Sequence, residues 1–270
     1  MSTKGRRFGS VPVLAVLVLM AFLYYSSVFV FLHGWLGLQT SPGSLNAFIF
    51  SLFASLSLFS FFSCVLTDPG GVPSSYAPDL EFSKDNAEQK KCDKCFGFKP
   101  PRAHHCRVCR RCVLKMDHHC LWINNCVGYW NYKAFFVFVL YATLASIYCM
   151  AIFIGCVFQK DWELIKASSN KIFYVLYGMM VMVLTLTLLT LFGWHVYLIL
   201  HNMTTIEYHE GNRAKWLAMK SGQSYRHPFN MGAYKNITLI LGPNMLKWLC
   251  PTAVSHLKDG LSFPTLRDNS

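Results

Sequence analysis

The sequence predicts an all-α integral membrane protein with four transmembrane helices and a cysteine-rich domain between the second and third. Of the 270 residues, 53% are hydrophobic and only 14% are charged, which is too apolar for an ordinary soluble domain. Four long apolar runs contain no Asp, Glu, Lys or Arg, and seven of the eleven cysteines fall between positions 92 and 126. Composition, run length and cysteine clustering therefore indicate the same architecture.

Each apolar run is long enough to cross a bilayer, which needs about 20 residues. The first run follows basic residues, as a signal peptide would, but it is too long for a signal sequence and lacks a small-residue cleavage site. The fourth run exceeds the length of a span, so we expect this helix to tilt or to project. The predicted spans are residues 11–32, 45–66, 134–158 and 173–200, with an N-terminal tail at 1–10, the cysteine-rich domain at 67–133 and a C-terminal region at 201–270.

Basic residues predict the orientation in the membrane. Lys4, Arg6 and Arg7 precede the first span, and further basic residues lie at 90–115 and at 213–226. An even number of spans places all three segments on one side, and the excess of Lys and Arg makes that side cytosolic. We therefore expect both termini and the cysteine-rich domain to face the cytosol.

The cysteine-rich stretch has the composition of a metal-binding domain. Clustered cysteines in the reducing cytosol indicate metal binding or catalysis rather than disulfides. Two closed zinc sites need eight Cys or His ligands, often supplied as CxxC pairs, and Cys92-x-x-Cys95 and Cys106-x-x-Cys109 are two such pairs. The stretch offers seven cysteines and four histidines, so three groups are left over, and one histidine of each adjacent pair is expected to be free.

The free groups point to chemistry at Asp117, His118 and Cys120. Cys120 has no CxxC partner and directly follows Asp117-His118-His119. A thiol beside an imidazole, with a carboxylate that orients the ring, is an arrangement that generates a nucleophile. We interpret six cysteines and two histidines as scaffold and these three residues as catalytic.

The whole pattern, C-x2-C-x9-HC-x2-C-x2-C-x4-DHHC-x5-C-x4-N, resembles the DHHC cysteine-rich domain of protein S-acyltransferases. The resemblance extends to Asp68-Pro69-Gly70, to Thr204-Thr205-Ile206-Glu207 and to the segment that contains Asn236, where Leu241 replaces a more usual aromatic residue. It implies one zinc ion held by Cys92, Cys95, His105 and Cys112, a second held by Cys106, Cys109, His119 and Cys126, and supporting roles for Trp122, Asn131, Thr204, Thr205, Glu207 and Asn236.

The same resemblance implies transfer of a long-chain acyl group from palmitoyl-CoA to protein cysteines, through a thioester on Cys120. In this scheme His118 acts as general base and acid, and Asp117 orients it. Both zinc ions are structural, because closed sites leave no coordination position for a reactant. The acyl chain is expected to lie among the helices, and the stretches 24–27 and 141–146 are candidates for its lining.

Other functions are weighed against this prediction. A net charge of +12 next to membrane spans mainly enforces topology and attracts anionic lipid, although Arg107 and Arg110 are candidates to bind the phosphates of the acyl-CoA. Nucleic acid is not an expected partner of a loop pinned between two membrane helices. A catalytically silent zinc-finger adaptor is the alternative, and a channel is disfavoured because no charge interrupts a span.

The expected partners are membrane-associated protein substrates on the cytosolic side, acyl-CoA and the bilayer. The expected location is the endomembrane system, Golgi or endoplasmic reticulum, by analogy with the family. Cys64, Cys149 and Cys156 are expected to be small apolar side chains in the spans, and Cys250 an ordinary tail residue rather than an acylation site.

Overall fold

The computed structural model describes residues 9–78, 91–159 and 171–266. The basic residues Lys4, Arg6, Arg7 and Lys90 and the loop 160–170 lie outside the described residues, and so does most of the predicted N-terminal tail. Within the described ranges the chain is mostly helical, and four of its helices are long and apolar enough to span a membrane. These four helices, with the cysteine-rich segment between the second and third, confirm the predicted fold class of an integral membrane protein.

The first membrane helix, α1, begins at Val11, with Pro12 in its first turn. It runs as Val11–Tyr25, widens into a π-helical stretch at Ser26–Leu32 and ends in a single turn at His33–Trp35. The wider turns bury Ser26 and Ser27, and the Ser27 hydroxyl lies 2.8 Å from the Tyr177 hydroxyl. The hydroxyl of Ser27 is thus partnered inside the helix bundle.

The second membrane helix, α2, spans Ser41–Leu66 and starts four residues before the predicted span. The Thr40 hydroxyl accepts a hydrogen bond from the Gly43 backbone N–H at 3.1 Å and caps the helix, and Pro42 supplies a favourable first turn. The turn from α1 therefore occupies only residues 36–40. A helix can extend beyond the hydrocarbon, so the predicted limits of the spans remain predictions.

The remaining membrane helices are α3 at Tyr132–Gln159 and α4 at Lys171–His201. Two apolar clusters join the four helices, one on the side of the cysteine-rich domain and one on the opposite side. Cys120 belongs to the first cluster and Cys149 and Cys156 to the second. The cluster on the near side therefore brings the cysteine-rich domain into contact with the membrane helices.

The cysteine-rich domain contains two small β-hairpins that the sequence analysis did not place. The first pairs β1 (His104–Cys106) with β2 (Arg111–Val113), and the second pairs β3 (His118–Cys120) with β4 (Asn125–Val127). Each strand has only three residues, too few for an alternating pattern to be recognised in the sequence.

The C-terminal region packs back onto the cysteine-rich domain. After α4 the chain forms α5 (Thr205–Lys220), α6 (Ala233–Leu241) and a 3-10 turn at Met245–Lys247. Arg102 of the cysteine-rich domain is buried, forms an ion pair with Glu207 of α5 at 2.6 Å and donates to the Asn202 carbonyl at 2.8 Å. The guanidinium also lies over the rings of Phe229 and Phe263, so one side chain connects the domain to three parts of the tail.

Candidate active site and metal centres

Two clusters of four Cys and His side chains stand in the cysteine-rich domain. The ligand atoms within each cluster lie within 4.8 Å of one another. The first cluster contains Cys92, Cys95, His105 and Cys112, and the second contains Cys106, Cys109, His119 and Cys126. Cys92-x-x-Cys95 and Cys106-x-x-Cys109 each contribute to a single cluster, whereas the neighbours His105 and Cys106 point into different ones. Eight side chains are thus grouped as the family resemblance implies.

The spacing of these atoms suits a tetrahedral zinc ion. Bond lengths of about 2.3 Å to sulfur and about 2.0–2.1 Å to nitrogen require separations of about 3.5 Å between S and N and about 3.8 Å between two S atoms. In the first cluster His105 Nδ1 lies 3.5 Å from Cys92 Sγ and 3.3 Å from Cys95 Sγ, and the two sulfurs of Cys95 and Cys112 are 3.8 Å apart. The first cluster can therefore hold a zinc ion.

The second cluster has the same dimensions. His119 Nδ1 lies 3.6 Å from Cys106 Sγ, 3.5 Å from Cys109 Sγ and 3.6 Å from Cys126 Sγ. The contact with Cys126 is the main reason that the pKa of Cys109 falls to about 5, and the same contact raises the pKa of Cys126. At this distance Cys109 and Cys126 compete for a proton. A metal ion that binds both side chains as thiolates removes that competition.

The strand geometry separates the metal ligands from the remaining groups of the DHHC sequence. Successive side chains on a strand point to opposite faces, so His119 projects away from His118 and Cys120 on β3. His119 is paired across the hairpin with Cys126, and both enter the second cluster. His118 and Cys120 consequently share the other face, which turns toward the membrane helices.

The two hairpins repeat the same arrangement. In each, a His-His-Cys strand is paired with a strand that carries a cysteine, and the second histidine lies opposite that cysteine: His105 faces Cys112, and His119 faces Cys126. Cys106, the last residue of the first such strand, is a member of the second cluster. Its counterpart Cys120 belongs to neither of the two clusters found among the described residues, so its thiol is not a ligand of either metal site.

Asp117 is fully buried and holds His118 in place. His118 Nδ1–H donates to Asp117 Oδ2 at 2.7 Å, which fixes the tautomer and leaves Nε2 available to the Cys120 thiol. The backbone N–H of Thr205 donates to Asp117 Oδ1 and its hydroxyl donates to Oδ2, both at 2.9 Å. Thr205 is the first residue of α5, so the carboxylate also lies at the positive end of a helix.

A capping box fixes this end of α5. The Thr204 side chain accepts from the Glu207 backbone N–H, and the Glu207 carboxylate accepts from the Thr204 N–H. Glu207 also receives the ion pair from Arg102. The Thr-Thr-x-Glu sequence therefore binds the cysteine-rich domain twice, through Asp117 and through Arg102.

The electrostatics of the Asp117–His118 pair favour the charged form of the His118 imidazole. Burial opposes a low pKa for Asp117, but the hydrogen bonds and charge of His118 prevail and lower it below its usual range. Burial likewise tends to lower the pKa of His118, but the hydrogen bonds with Asp117 and with Cys120 raise it to about 9. The pair can therefore accept a proton from a neighbouring thiol and hold it.

The ring of His118 is enclosed by two aromatic side chains from the membrane helices that the sequence analysis missed. Phe135 of α3 meets it edge-on at a centroid separation of 5.3 Å, and His195 of α4 lies at 6.1 Å. His195 is 1% exposed, and its Nδ1 lies 3.1 Å from the Tyr132 hydroxyl. A buried histidine in a membrane helix is itself a sign of function, and it could have been recognised in the sequence on that ground.

The supporting residues predicted from the resemblance have different surroundings. Asn131 is buried and donates to the Cys126 carbonyl at 2.8 Å, and Asn236 is buried and donates to the Leu200 carbonyl near the end of α4 at 2.7 Å. Trp122 is exposed. Asn125, which was not predicted, lies opposite Cys120 on β4 and donates to the carbonyls of Cys64 and Thr67 at the end of α2.

Arg107 and Arg110 line an open cleft of about 910 Å³ on the cysteine-rich domain. Lys94, Lys99 and His104 line the same cleft, and Asp93 is its one carboxylate, so its walls are mainly basic. Cys92 and His105 of the first metal cluster and the apolar side chains of Met116 and Ile206 also border it. The structure thus brings the two arginines together in a cleft next to the first metal cluster.

Comparison with known proteins places the chain among related sequences. The family model for DHHC palmitoyltransferases matches residues 85–212. Probable protein S-acyltransferase 15 of Arabidopsis thaliana is 59% identical over 93% of this chain and all of its own length, and probable protein S-acyltransferase 16 of the same plant is 48% identical over 100% of this chain and 97% of its own. Palmitoyltransferase ZDHHC15 of Rattus norvegicus is 39% identical over 66% of this chain and 51% of its own length.

Proposed function

This chain belongs to the DHHC palmitoyltransferase family and is a protein S-acyltransferase, and on that premise we propose that it works in two steps through an acyl thioester on Cys120. The observation that carries the proposal is the pairing of a dyad, buried Asp117 and half-buried His118, with a cysteine that neither metal cluster includes. Thioesters exchange with thiols at little energetic cost, so an enzyme thioester keeps the acyl group transferable.

In the first step, His118 Nε2 removes the proton from the Cys120 thiol. The Cys120 thiolate attacks the carbonyl carbon of palmitoyl-CoA, so a new carbon–sulfur bond forms and the bond to the coenzyme sulfur breaks. The coenzyme thiolate leaves with the electron pair and takes the proton back from His118. Asp117 stabilises the intervening imidazolium, and its three hydrogen bonds keep the carboxylate itself ionised.

In the second step, His118 takes the proton of a substrate cysteine. That thiolate attacks the acyl carbonyl, and Cys120 leaves and recovers a proton from the imidazolium. The same histidine therefore serves as base and acid in both half-reactions, as in other acyl transfers through a covalent intermediate. The substrate must present its cysteine at the membrane face, where Cys120 is buried in the apolar cluster on the side of the cysteine-rich domain.

The two metal clusters are proposed to hold structural zinc ions. Four protein ligands complete each tetrahedron, which is the coordination of structural rather than catalytic zinc. The hairpins contribute few large apolar side chains, so bound metal would supply much of their folding energy. His119, the central residue of β3, fixes the strand from the metal side, and His118 faces the other side.

The basic cleft next to the first metal cluster is proposed to take the phosphates of the acyl-CoA. Arg107 and Arg110 are exposed there with two lysines, and guanidinium groups match phosphate oxygens in a bidentate manner. The acyl chain would enter the apolar cluster around Cys120, because leaving it in water costs about 0.8 kcal/mol for each methylene group.

The protein partners and the location follow from the activity and the charge pattern. Membrane-associated proteins with cytosolic cysteines are the proposed substrates. The basic residues at 91–115 and 213–226 support a cytosolic cysteine-rich domain and tail. The proposed subcellular location is the Golgi or the endoplasmic reticulum, and it rests on family analogy alone.

The experiment that tests the thioester uses an alkyne-tagged palmitoyl-CoA. Purified wild type, Cys120→Ser and Cys250→Ser are incubated with it, and hydroxylamine-sensitive label and zinc content are measured. We expect label on wild type and on Cys250→Ser but not on Cys120→Ser, with zinc bound to all three. Label on Cys120→Ser at the level of wild type would refute the proposed nucleophile. No label on any of the three, with zinc bound, would favour a silent adaptor instead.

A further inference from the structure

A short segment after α6 presents apolar side chains outward although its backbone is tightly fixed. Met245, Leu246 and Leu249 are 58%, 93% and 55% exposed, whereas Ile240 and Leu241 just before them are buried. Single exposed apolar residues are common on protein surfaces, but three within five positions form a contiguous patch that calls for a partner. Lys247 is exposed between them.

The Lys133 side chain fixes this segment to the first turn of α3. The residue is 2% exposed, and its ammonium donates to three backbone carbonyls, those of Leu241, Lys247 and Ala253, at 2.7, 2.9 and 2.8 Å. An ammonium has three N–H donors, so all of them are used. The segment from 241 to 253 is therefore held against the end of a membrane helix.

A second bond gives the depth of the segment. The Tyr141 hydroxyl of α3 donates to the Leu249 carbonyl at 3.3 Å. Tyr141 lies eight residues beyond Lys133, which is about 12 Å farther along the helix axis. The 28 residues of α3 extend about 42 Å, while the hydrocarbon core is about 30 Å thick. The helix is thus about 12 Å longer than the hydrocarbon is thick. If this whole extra length projected on the side of the cysteine-rich domain, Tyr141 would still lie at the boundary of the hydrocarbon.

The orientation of the patch agrees with this depth. Trp248 faces inward, packs against the apolar cluster around Cys120 and donates from Nε1 to the Gly242 carbonyl at 2.8 Å. With Trp248 and the backbone directed to the protein, Leu246 and Leu249 face away from it. The long Lys247 side chain can extend from this level to lipid phosphates, as lysines at membrane surfaces do.

We propose that residues 245–250 form a membrane-inserted segment whose side chains Met245, Leu246 and Leu249 lie in the leaflet on the side of the cysteine-rich domain. The occupant of the patch is lipid, because the segment is bonded to α3 at the hydrocarbon boundary and its apolar side chains face away from the protein there. The segment lies on the interface rather than spanning the bilayer. It would hold the tail, and with it the end of α3 next to Cys120, at a fixed height in the membrane.

The test places a photo-crosslinking amino acid at single positions of the full chain. The protein is reconstituted in nanodiscs of phosphatidylcholine and phosphatidylserine, and lipid adducts are counted by intact mass. Position 246 carries the probe, Leu186 of α4 is the lipid-facing comparison, and Val108 of the cysteine-rich domain is the water-facing one; these two are 59% and 67% exposed. Position 249 provides a second variant if the probe at 246 lowers zinc content, the sign of misfolding.

We expect lipid adducts at 246 within about threefold of those at 186 and at least about fivefold above those at 108, as immersion in the acyl boundary requires. Adduct formation at 246 and 249 no greater than at 108 would overturn the proposal. The same probes are also used in native membranes. If positions 246 and 249 crosslink there mainly to other proteins, with lipid adducts no more frequent than at position 108, the proposal is overturned and the patch is a protein-docking surface.

Discussion

The hydroxyl of Thr205 offers a sharp test of how the dyad is held. Asp117 accepts three hydrogen bonds, from His118 and from the backbone and the hydroxyl of Thr205. Thr205→Val keeps the side-chain volume and the backbone N–H but removes the hydroxyl donor. A hydrogen bond to a charged group contributes about 1.5–3 kcal/mol, and each 1.36 kcal/mol is a factor of ten in rate. We therefore expect acylation of Cys120 to slow by about 10–100-fold.

The assay is single-turnover labelling with tagged palmitoyl-CoA, with zinc content and thermal unfolding measured in parallel. Thr205→Ser is the matched control, because it keeps the hydroxyl and loses only a methyl group, so its rate should stay within about threefold of wild type. A wild-type rate for Thr205→Val would refute the reasoning. Equal slowing of the Ser and Val variants would also refute it, because packing of the methyl group would then be the cause.

Three further predictions follow from the metal clusters, the buried ion pair and the basic cleft. Cys92→Ala should lose about half of the bound zinc and much of the folded protein, whereas Cys120→Ser should keep both. Plasma emission spectrometry measures the zinc, and equal metal loss in the two variants would contradict the ligand assignment. Glu207→Gln should lower stability by about 3–5 kcal/mol, because it leaves the buried Arg102 unpaired. The pKa of Glu207 is depressed in the fold, so its contribution to stability is present above its ordinary pKa and is lost as pH falls through the folded value. The difference in unfolding midpoint between wild type and Glu207→Gln should therefore narrow from pH 6 to pH 4. A constant difference would contradict this. Arg110→Glu should raise the KM for palmitoyl-CoA by about tenfold with kcat little changed, the effect of lost phosphate binding alone, and an unchanged KM would rule out the cleft.

The sequence predicted the membrane helices for a simple reason. An apolar run of about 20 residues without charge has few alternatives to a membrane helix, since every backbone group must be bonded within the segment. Helix ends were less certain because they depend on caps. The hydroxyl of Thr40 caps α2, so that the helix begins four residues before the predicted span. A hydropathy pattern does not reveal such a capping hydrogen bond.

The sequence also predicted the metal-binding cysteines from their spacing, but spacing alone left open which histidine of each adjacent pair is free. Asp117 and Cys120 on either side indicated His118 as the catalytic histidine, and the family resemblance implied that His105 and His119 are the ligands. The three-residue strand β3 decides it physically, because alternation turns His119 toward Cys126 and His118 toward the membrane side with Cys120. A strand that short leaves no periodic signal in the sequence.

The sequence by itself determined the class of protein, the number of membrane helices and the set of residues from which zinc ligands and nucleophile are drawn. Those properties depend on local composition and on spacing along the chain. Only the tertiary structure decided that Arg102 meets Glu207 and that Lys133 meets the tail carbonyls. These contacts join residues more than 100 positions apart, and pairs so distant are selected by the packing of the whole fold, which no local pattern encodes.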